Sequence, residues 1–338
     1  MKLLRKILVP VVPIYFMVTW LLNKFYDWGW KSSKSYDTAV ICVGNLSTGG
    51  TGKTPTIEYL IRLLRNPYKV ATLSRGYKRQ SNGFVLADDK ATPRSIGDEP
   101  YQFYSKFKDI DVSVDGDRQN GIEQLMHLKQ PNVILLDDAF QHRKVKAGFT
   151  ILLTSYGNLY CDDIVLPTGN LREPRGGAKR ANLIVVTKCP KTVSCSEKEL
   201  IKKRLKPLKH QQVYFSSISY SETIYSQKNQ GILSQFGDKK ITVVTGIANP
   251  KPFLDYLNSK SIDFEHLNFK DHHNFSSAEI ELLQQKEIIL TTEKDYVRLK
   301  GSFESNALKL WYLPIVFKIE NDDDFDAQLR SFMSSFCF

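Results

Sequence analysis

The residues best suited to chemistry lie in one run, Ser47-Thr48-Gly49-Gly50-Thr51-Gly52-Lys53-Thr54. A phosphate loop reads G-x-x-x-x-G-K-[ST], and this run meets the pattern at every fixed place except the first, where Ser47 stands. Such a loop works because successive backbone N–H groups point into one concavity backed by a helix N-terminus. Gly49, Gly50 and Gly52 let the backbone approach the phosphates. Lys53 reaches the β- and γ-phosphates of a nucleotide such as ATP, and Thr54 can ligate Mg2+. The first glycine of the pattern serves mainly the turn out of the preceding strand, so serine there is compatible with the cradle.

A phosphate-loop enzyme also needs a carboxylate at the end of a neighbouring buried strand to organise the metal. The run VILLDDAFQH supplies Asp137 and Asp138 after four apolar residues. Which of the two faces the metal is not readable from the spacing. Three further groups have the chemistry for a site. In IGDEPYQF, Pro100 reads as the first residue of a helix, which sets Asp98 and Glu99 at its N-terminus, as caps or as working carboxylates. In FKDHHNFSSAE, His272 and His273 precede a helix capped by Ser276 and Glu279, with no further metal-ligand cluster at suitable spacing. In GNLREPRGGAKR, Arg172, Arg175, Lys179 and Arg180 crowd a Gly-flanked loop that is either a solvated turn or a phosphate grip. Arg75 and Arg118 are weaker candidates of the same kind, and Thr187 and Lys188 end a strand where a nucleotide base could be met.

The elements that must position these residues alternate along the chain. TAVICVG (38–44) reads as a strand entering the loop, and TIEYLIRLLR (56–65) as an amphipathic helix leaving it. KVATLSRG, DVSVD, NVILLDD, FTILLTS and LIVVTK read as further strands. Apolar runs of this kind, separated by helices, indicate a parallel sheet covered on both faces. SEKELIKKRLK reads as a helix opened by Ser196 and Glu199. The fold class is therefore α/β, a phosphate-loop sheet with helices on both faces plus a second, smaller α/β domain. The expected division is 1–30 as a membrane-associated segment, 31–220 as the core, 221–240 as a linker without periodicity, 241–307 as the smaller domain, and 308–338 as a strand and a helix. LKLWYLPIVFKI (308–319) reads as one strand, and whether this tail returns to the core is left open.

The chain has 338 residues and a formal net charge of +11, from 47 Lys+Arg against 36 Asp+Glu. That balance favours an anionic partner. The basic residues are scattered, with no nucleic-acid motif or aromatic–basic alternation, so nucleic acid is not expected. The five Cys form no C-x-x-C pair and read as reduced packing residues. ILVPVVPIYFMVTWLL (7–22) is flanked by Lys2, Arg5, Lys6 and Lys24 and followed by FYDWGW. Sixteen helical residues reach about 24 Å, short of the roughly 30 Å hydrocarbon core. Pro10 and Pro13 would kink or delay a helix. The preferred reading is an anchor dipping into a bilayer with Trp20, Tyr26, Trp28 and Trp30 near the headgroups; a buried core helix is the plainer alternative.

GNLSTGGTGKTP, LSRGY, GDEP, DDAFQH, LREP, DHHNFS and TTEKD occur here in this order. In that order, and over nearly the whole chain, the sequence resembles the tetraacyldisaccharide 4'-kinases, the lipid A kinases of Gram-negative bacteria. The resemblance implies transfer of the ATP γ-phosphate, with Mg2+, to the 4'-hydroxyl of an anionic glycolipid at the cytoplasmic face of the inner membrane, by a peripheral or monotopic enzyme. It implies two α/β/α domains with the site in the cleft between them. By resemblance Asp98 is the catalytic carboxylate, Glu99 a lesser candidate near Mg2+, and His272 the partner of Asp98, with His273 the weaker choice. Arg172 and Glu173 fall in the same site. Asp138 is a further catalytic candidate, and whether Asp98 takes the proton outright or Asp138 shares the work is left open. For TTEKD (291–295) the sequence offers no physical role. The rival reading is a partner-regulated membrane-associated ATPase with a related loop. That class usually carries Lys before the first Gly of the pair, where Thr48 stands, and it does not explain DHHNF. Oligomeric state is left open.

Overall fold

The computed structural model describes residue 5 and residues 7–190, 192–236 and 239–336, without the side chains of 304–306. Lys2 and Lys6, named above, and one of the five cysteines, Cys337, lie outside the described residues. The first sheet takes β1 (Ala39–Asn45), β2 (Val70–Ser74), β3 (Val85–Leu86), β4 (Asp111–Val114), β5 (Val133–Asp137), β6 (Phe149–Ser155), β7 (Leu183–Cys189) and β8 (Gln212–Tyr220). A late strand, β15 (Ile315–Ile319), completes it. The order is β15-β8-β7-β6-β1-β5-β2-β4-β3. All neighbours run parallel except the two edge pairs, β3–β4 and β15–β8.

Every residue of β1, β2 and β5 is buried, as expected of parallel strands covered on both faces. Alternation along β1 sends Ala39, Ile41 and Val43 into one core and Val40 and Cys42 into another. On the first face, helix α2 (Lys53–Leu64) buries Ile57, Leu60, Ile61 and Leu64. On the other, α4 (Arg118–Leu128) buries Ile122 and Leu125. Between them in sequence lies α3 (Asp98–Lys106), which buries Phe103. Helix α5 (Cys195–Leu205) is capped by Ser194, whose side chain accepts from Glu197 N–H, not by Ser196. Both serines precede an acidic residue by three, so the spacing alone does not choose between them.

The second sheet has order β10-β9-β14-β13-β11-β12, from β9 (Thr223–Tyr225), β10 (Gln230–Ile232), β11 (Ile241–Thr245), β12 (Phe264–Asn268), β13 (Ile288–Thr292) and β14 (Leu310–Leu313). Helices α6 (Lys251–Ser259), α7 (Ser277–Gln284) and α8 (Glu293–Leu299) connect it. The aperiodic segment 221–240 is thus no plain linker: it supplies β9 and β10 as an antiparallel hairpin. Nor is 308–319 one strand. Pro314 has no N–H to continue a ladder, and it separates β14 in the second sheet from β15 in the first. A last helix, α9 (Asp322–Met333), packs Phe325, Leu329 and Met333 into the same core as α2.

The N-terminal helix α1 (Val12–Asp27) follows a short 3-10 turn, Val9–Val11. Pro10 and Pro13 therefore delay the helix rather than kink it, Pro13 sitting in its first turn where a missing N–H is harmless. The plainer alternative of a buried core helix is overturned: no residue of α1 is buried. Its polar side chains face the protein. Tyr15 donates its hydroxyl to Arg172 O at 2.9 Å and Asn23 its amide to Glu173 Oε2 at 2.9 Å. Most of its apolar side chains face outward, Ile14 and Met17 both being 59% exposed, while Val12 packs against the core beneath.

Candidate active site

β1 ends at the centre of the first sheet, between β5 and β6, and the phosphate loop follows it. Crevices at the carboxyl ends of strands, where the order reverses, are where α/β sheets bind ligands. Ser47 forms an isolated antiparallel bridge with Leu171, so the first place of the pattern holds extended backbone that needs no glycine. Thr48 N–H donates to Asn170 O at 2.8 Å, and Thr187 Oγ1 donates to Thr51 O at 2.8 Å. Gly52 has φ +87, left-handed backbone that disfavours a side chain, immediately before Lys53 opens α2. Ser47 to Thr51, with Ser155, Asn158, Asp163, Asn170 and Lys188, line a cavity of about 350 Å³ beside the loop. Lys188 is exposed at the strand end, and its Nζ donates to Gly50 O at 2.6 Å. Partial burial of the ammonium, with Lys294 and Lys53 nearby, pushes it below the usual value.

Lys53 Nζ lies 3.6 Å from Asp138 Oδ1 and donates to Asn45 Oδ1 at 3.3 Å. Arg172 Nη1 donates to the same Asp138 oxygen at 2.8 Å. Burial alone would raise the Asp138 carboxyl, but Lys53 and Arg172 together hold it below the usual range. Asp137, one residue earlier, behaves oppositely: burial pushes it up to about 6 against the pull of Lys53. Its Oδ1 is buried with no hydrogen-bond partner among the described residues. An orphaned carboxylate oxygen beside a phosphate loop fits a divalent cation, which takes one or two carboxylates and fills its remaining positions with water and phosphate. No group of three or more His, Cys, Asp or Glu suited to a metal occurs among the described residues, which that mode of binding does not require.

The other half of the site comes from α3 and the second sheet. Gly97, with φ +94, is the N-cap of α3. A Cβ there would stand 3.2 Å from Tyr77 O and 3.3 Å from Gly76 Cα, so LSRGY and GDEP are pressed together. The helix begins at Asp98, not at Pro100, which is its third residue. Both carboxylates are helical first-turn residues rather than caps. His272, in left-handed backbone (φ +58) after β12, places Nδ1 3.0 Å from Asp98 Oδ2. His273 turns away, paired to Glu279 at 3.0 Å and stacked on Phe269. Glu99 Oε1 accepts from Lys294 at 2.9 Å, so an ion pair engages one of its two carboxylate oxygens. Burial would raise Glu99, and Lys294 outweighs that to hold it low. Glu99 is nonetheless within electrostatic reach of Asp137, so the two halves face one another.

Of the weaker arginine candidates, Arg118 is structural, buried and donating to Asp115 O at 2.7 Å. Arg180 pairs with Glu173 at 2.8 Å and Arg175 donates to Asp163 O, while Arg75 is exposed. Sequence reasoning missed two site residues. Gln141 donates to Asn45 O and to Glu173 Oε1. Arg298 donates through Nη2 and Nε to Asp98 Oδ2 at 2.6 and 2.9 Å. The signal for Arg298 was its i, i+3 spacing from Asp295 on one short helix, the two being 2.9 Å apart.

Comparison with known proteins agrees across the whole length. The family model described as LpxK, tetraacyldisaccharide-1-P 4'-kinase, matches residues 4–334. A tetraacyldisaccharide 4'-kinase of Flavobacterium johnsoniae is 52% identical, covering 98% of each chain. One from Bacteroides thetaiotaomicron is 46% identical over 95% of this chain and 91% of its own. The crystal structure of LpxK from Aquifex aeolicus in complex with ATP superposes with a TM-score of 0.81 at 27% identity, covering 98% of this chain and 99% of that one. The regulated-ATPase reading is thereby set aside, and the chain belongs to the tetraacyldisaccharide 4'-kinase family.

Proposed function

We propose that this protein is an ATP-dependent lipid kinase that phosphorylates the 4'-hydroxyl of a tetraacyldisaccharide 1-phosphate in lipid A biosynthesis. Family membership over the full chain supports the activity. The observation that carries the mechanism is the Asp98–His272 contact, made across two sheets and facing an intact phosphate loop.

The residues divide the work. The N–H groups from Thr48 to Thr54 cradle the phosphates, with Lys53 on the β- and γ-oxygens. Thr54 and Asp137 would hold Mg2+, with Asp138 beside them; when bound, the cation neutralises charge on the β- and γ-phosphate oxygens. Arg172, held by Asp138, is placed to meet the transferred phosphoryl or the substrate's existing phosphate. Asp98 accepts the hydroxyl proton, and His272 orients its carboxylate. Because His272 follows a strand of the second sheet, that pair is complete only when the two sheets come together.

α1 serves as a monotopic anchor at the cytoplasmic face of the inner membrane. Together with the 3-10 turn before it, it forms the 19-residue stretch Val9–Asp27, which is apolar enough to enter a bilayer. The Trp20, Trp28 and Trp30 rings at its end suit the headgroup level. The inward polar contacts of Tyr15 and Asn23 fit a helix lying along the protein with lipid on its outer side.

The test is transfer of labelled γ-phosphate from ATP to a disaccharide lipid A precursor in detergent micelles. Wild type, Asp98→Ala and His272→Ala are run side by side. Labelled lipid in wild type, with sharp loss in both variants, is the expected result. Free phosphate without labelled lipid would overturn the assignment.

A further inference from the structure

Helix α8 grows directly out of TTEKD, and it lies along α3 with one charged residue answering another. Glu293 meets Lys106 at 2.7 Å, Lys294 meets Glu99 at 2.9 Å, and Arg298 meets Asp98 at 2.6 Å. Each pair joins the second sheet to the first. Arg298 is the most enclosed of these side chains, 8% exposed. It is also fixed from behind. Its Nη1 donates to Asp295 Oδ1 at 2.9 Å and to Gly246 O at 3.2 Å. Asp295 is fully buried and is held in turn by Gly246 N–H at 2.9 Å and the Thr292 hydroxyl at 2.8 Å. A guanidinium pinned on one edge presents its other edge in a set direction.

That direction is one oxygen of Asp98. Arg298 Nε, Arg298 Nη2 and His272 Nδ1 all converge on Oδ2, at 2.9, 2.6 and 3.0 Å. Oδ1 has no donor among the described residues. The Nη2 group also lies 3.0 Å from His272 Nδ1, so one NH2 touches both members of the pair. We infer that Arg298 is a positioning residue for phosphoryl transfer: it clamps Oδ2 and leaves Oδ1 as the oxygen that receives the proton. The inference rests on the kinase reading given above. In the step itself, a lone pair of the acceptor hydroxyl oxygen forms the bond to the γ-phosphorus. The β–γ bridging bond breaks with its electrons leaving on the nucleoside diphosphate, and the hydroxyl proton passes to Asp98 Oδ1. A freely rotating carboxylate would offer either oxygen at either angle, and small misplacements are heavily penalised in such steps.

The experiment compares wild type, Arg298→Met and Arg298→Lys of the full chain in the lipid-labelling assay, with thermal midpoints recorded. Arg298→Met should lower kcat by about 100-fold, the lower end of a positioned base's contribution, while KM for ATP and for lipid stays within about threefold. Arg298→Lys should recover part of the loss, since an ammonium restores the charge without the two-pronged grip. An unchanged kcat in folded Arg298→Met, or a loss confined to KM, overturns the clamp. Should Arg298→Met fail to fold, Arg298→Lys at a wild-type midpoint decides: a kcat loss of about tenfold supports the clamp, and none overturns it. No transfer by the wild type would sink the kinase reading and the clamp with it. Transfer by the wild type beside an unimpaired Arg298→Met sinks the clamp alone.

Discussion

The phosphate loop and the Asp98 cluster are built in opposite ways. The loop is one contiguous run of eight residues, braced by the strand before it, the helix after it and the 170–172 segment alongside. The Asp98 cluster draws single residues from α3, from the turn after β12 and from α8, which are 174 and 200 positions away from Asp98 in sequence. A cradle made from local backbone is present whenever its own sheet is folded. A cluster made from side chains of two sheets exists only while those sheets are apposed. With the roles proposed above, nucleotide binding and acceptor activation are physically separable.

The sharpest challenge to that separation is Asp98→Asn. It should lower kcat by about 100- to 10,000-fold while leaving nucleotide affinity intact by equilibrium binding; a parallel loss of affinity would show that the two halves are one unit. Lys53→Ala makes the converse case, with affinity and turnover falling together by about 1000-fold in kcat/KM. Lys294→Ala removes one charge-assisted contact between the sheets and should cost about tenfold in kcat/KM, read by steady-state kinetics. An unaltered rate would mean that apposition does not depend on the α8–α3 pairs. Trp28→Ala should weaken binding to anionic vesicles by roughly tenfold without altering transfer in micelles, as measured by co-sedimentation beside the assay.

Glu293 offers the mildest test. Burial, with Glu58 close by, pushes its carboxyl up to about 7 against the pull of Lys106. A folded-state value above the unfolded one of 4.5 means that the native state binds more protons between the two. Stability then falls as pH rises from about 4.5 to about 7 and is level beyond. Glu293→Gln should flatten that slope, matching wild type near pH 5 and exceeding it by a few degrees in melting temperature near pH 8. A pH-independent difference would place the cost elsewhere.

What the sequence disclosed follows the same division. Ser47 to Thr54, Asp137 and Asp138 could be put forward from the sequence because the roles proposed for them depend on neighbours in the chain and on strand periodicity. The choice of His272 over His273 came from family resemblance, and the backbone gives its physical cause: the left-handed turn at 272 sends adjacent rings to opposite sides. TTEKD was visible as a motif yet mute as chemistry. Its residues act on Lys106, Glu99 and Gly246, none of them near it in sequence. Arg298 was overlooked for the same reason: its i, i+3 spacing from Asp295 on a seven-residue helix is a local signal that does not point to Asp98. The strand break at Pro314 carried a local signal, a proline inside an apolar run, which the length of the run outweighed.

That proline has a consequence for how the molecule is made. The first sheet takes β8 before the second sheet begins and β15 only after it ends, so its outermost strand is synthesised only after the whole second sheet. Helix α2, which starts at the phosphate loop, waits equally long for its cover: Tyr59 packs on Phe317 and Phe325 and bonds to Asp326. An emerging chain therefore carries a phosphate-loop helix with a bare apolar flank until the second sheet and the segment after it have left the ribosome. The second sheet, whose strands run unbroken from β9 to β14, can close first. Loss of residues 315–338 would remove nothing from the candidate site and still uncover the helix that starts at its lysine.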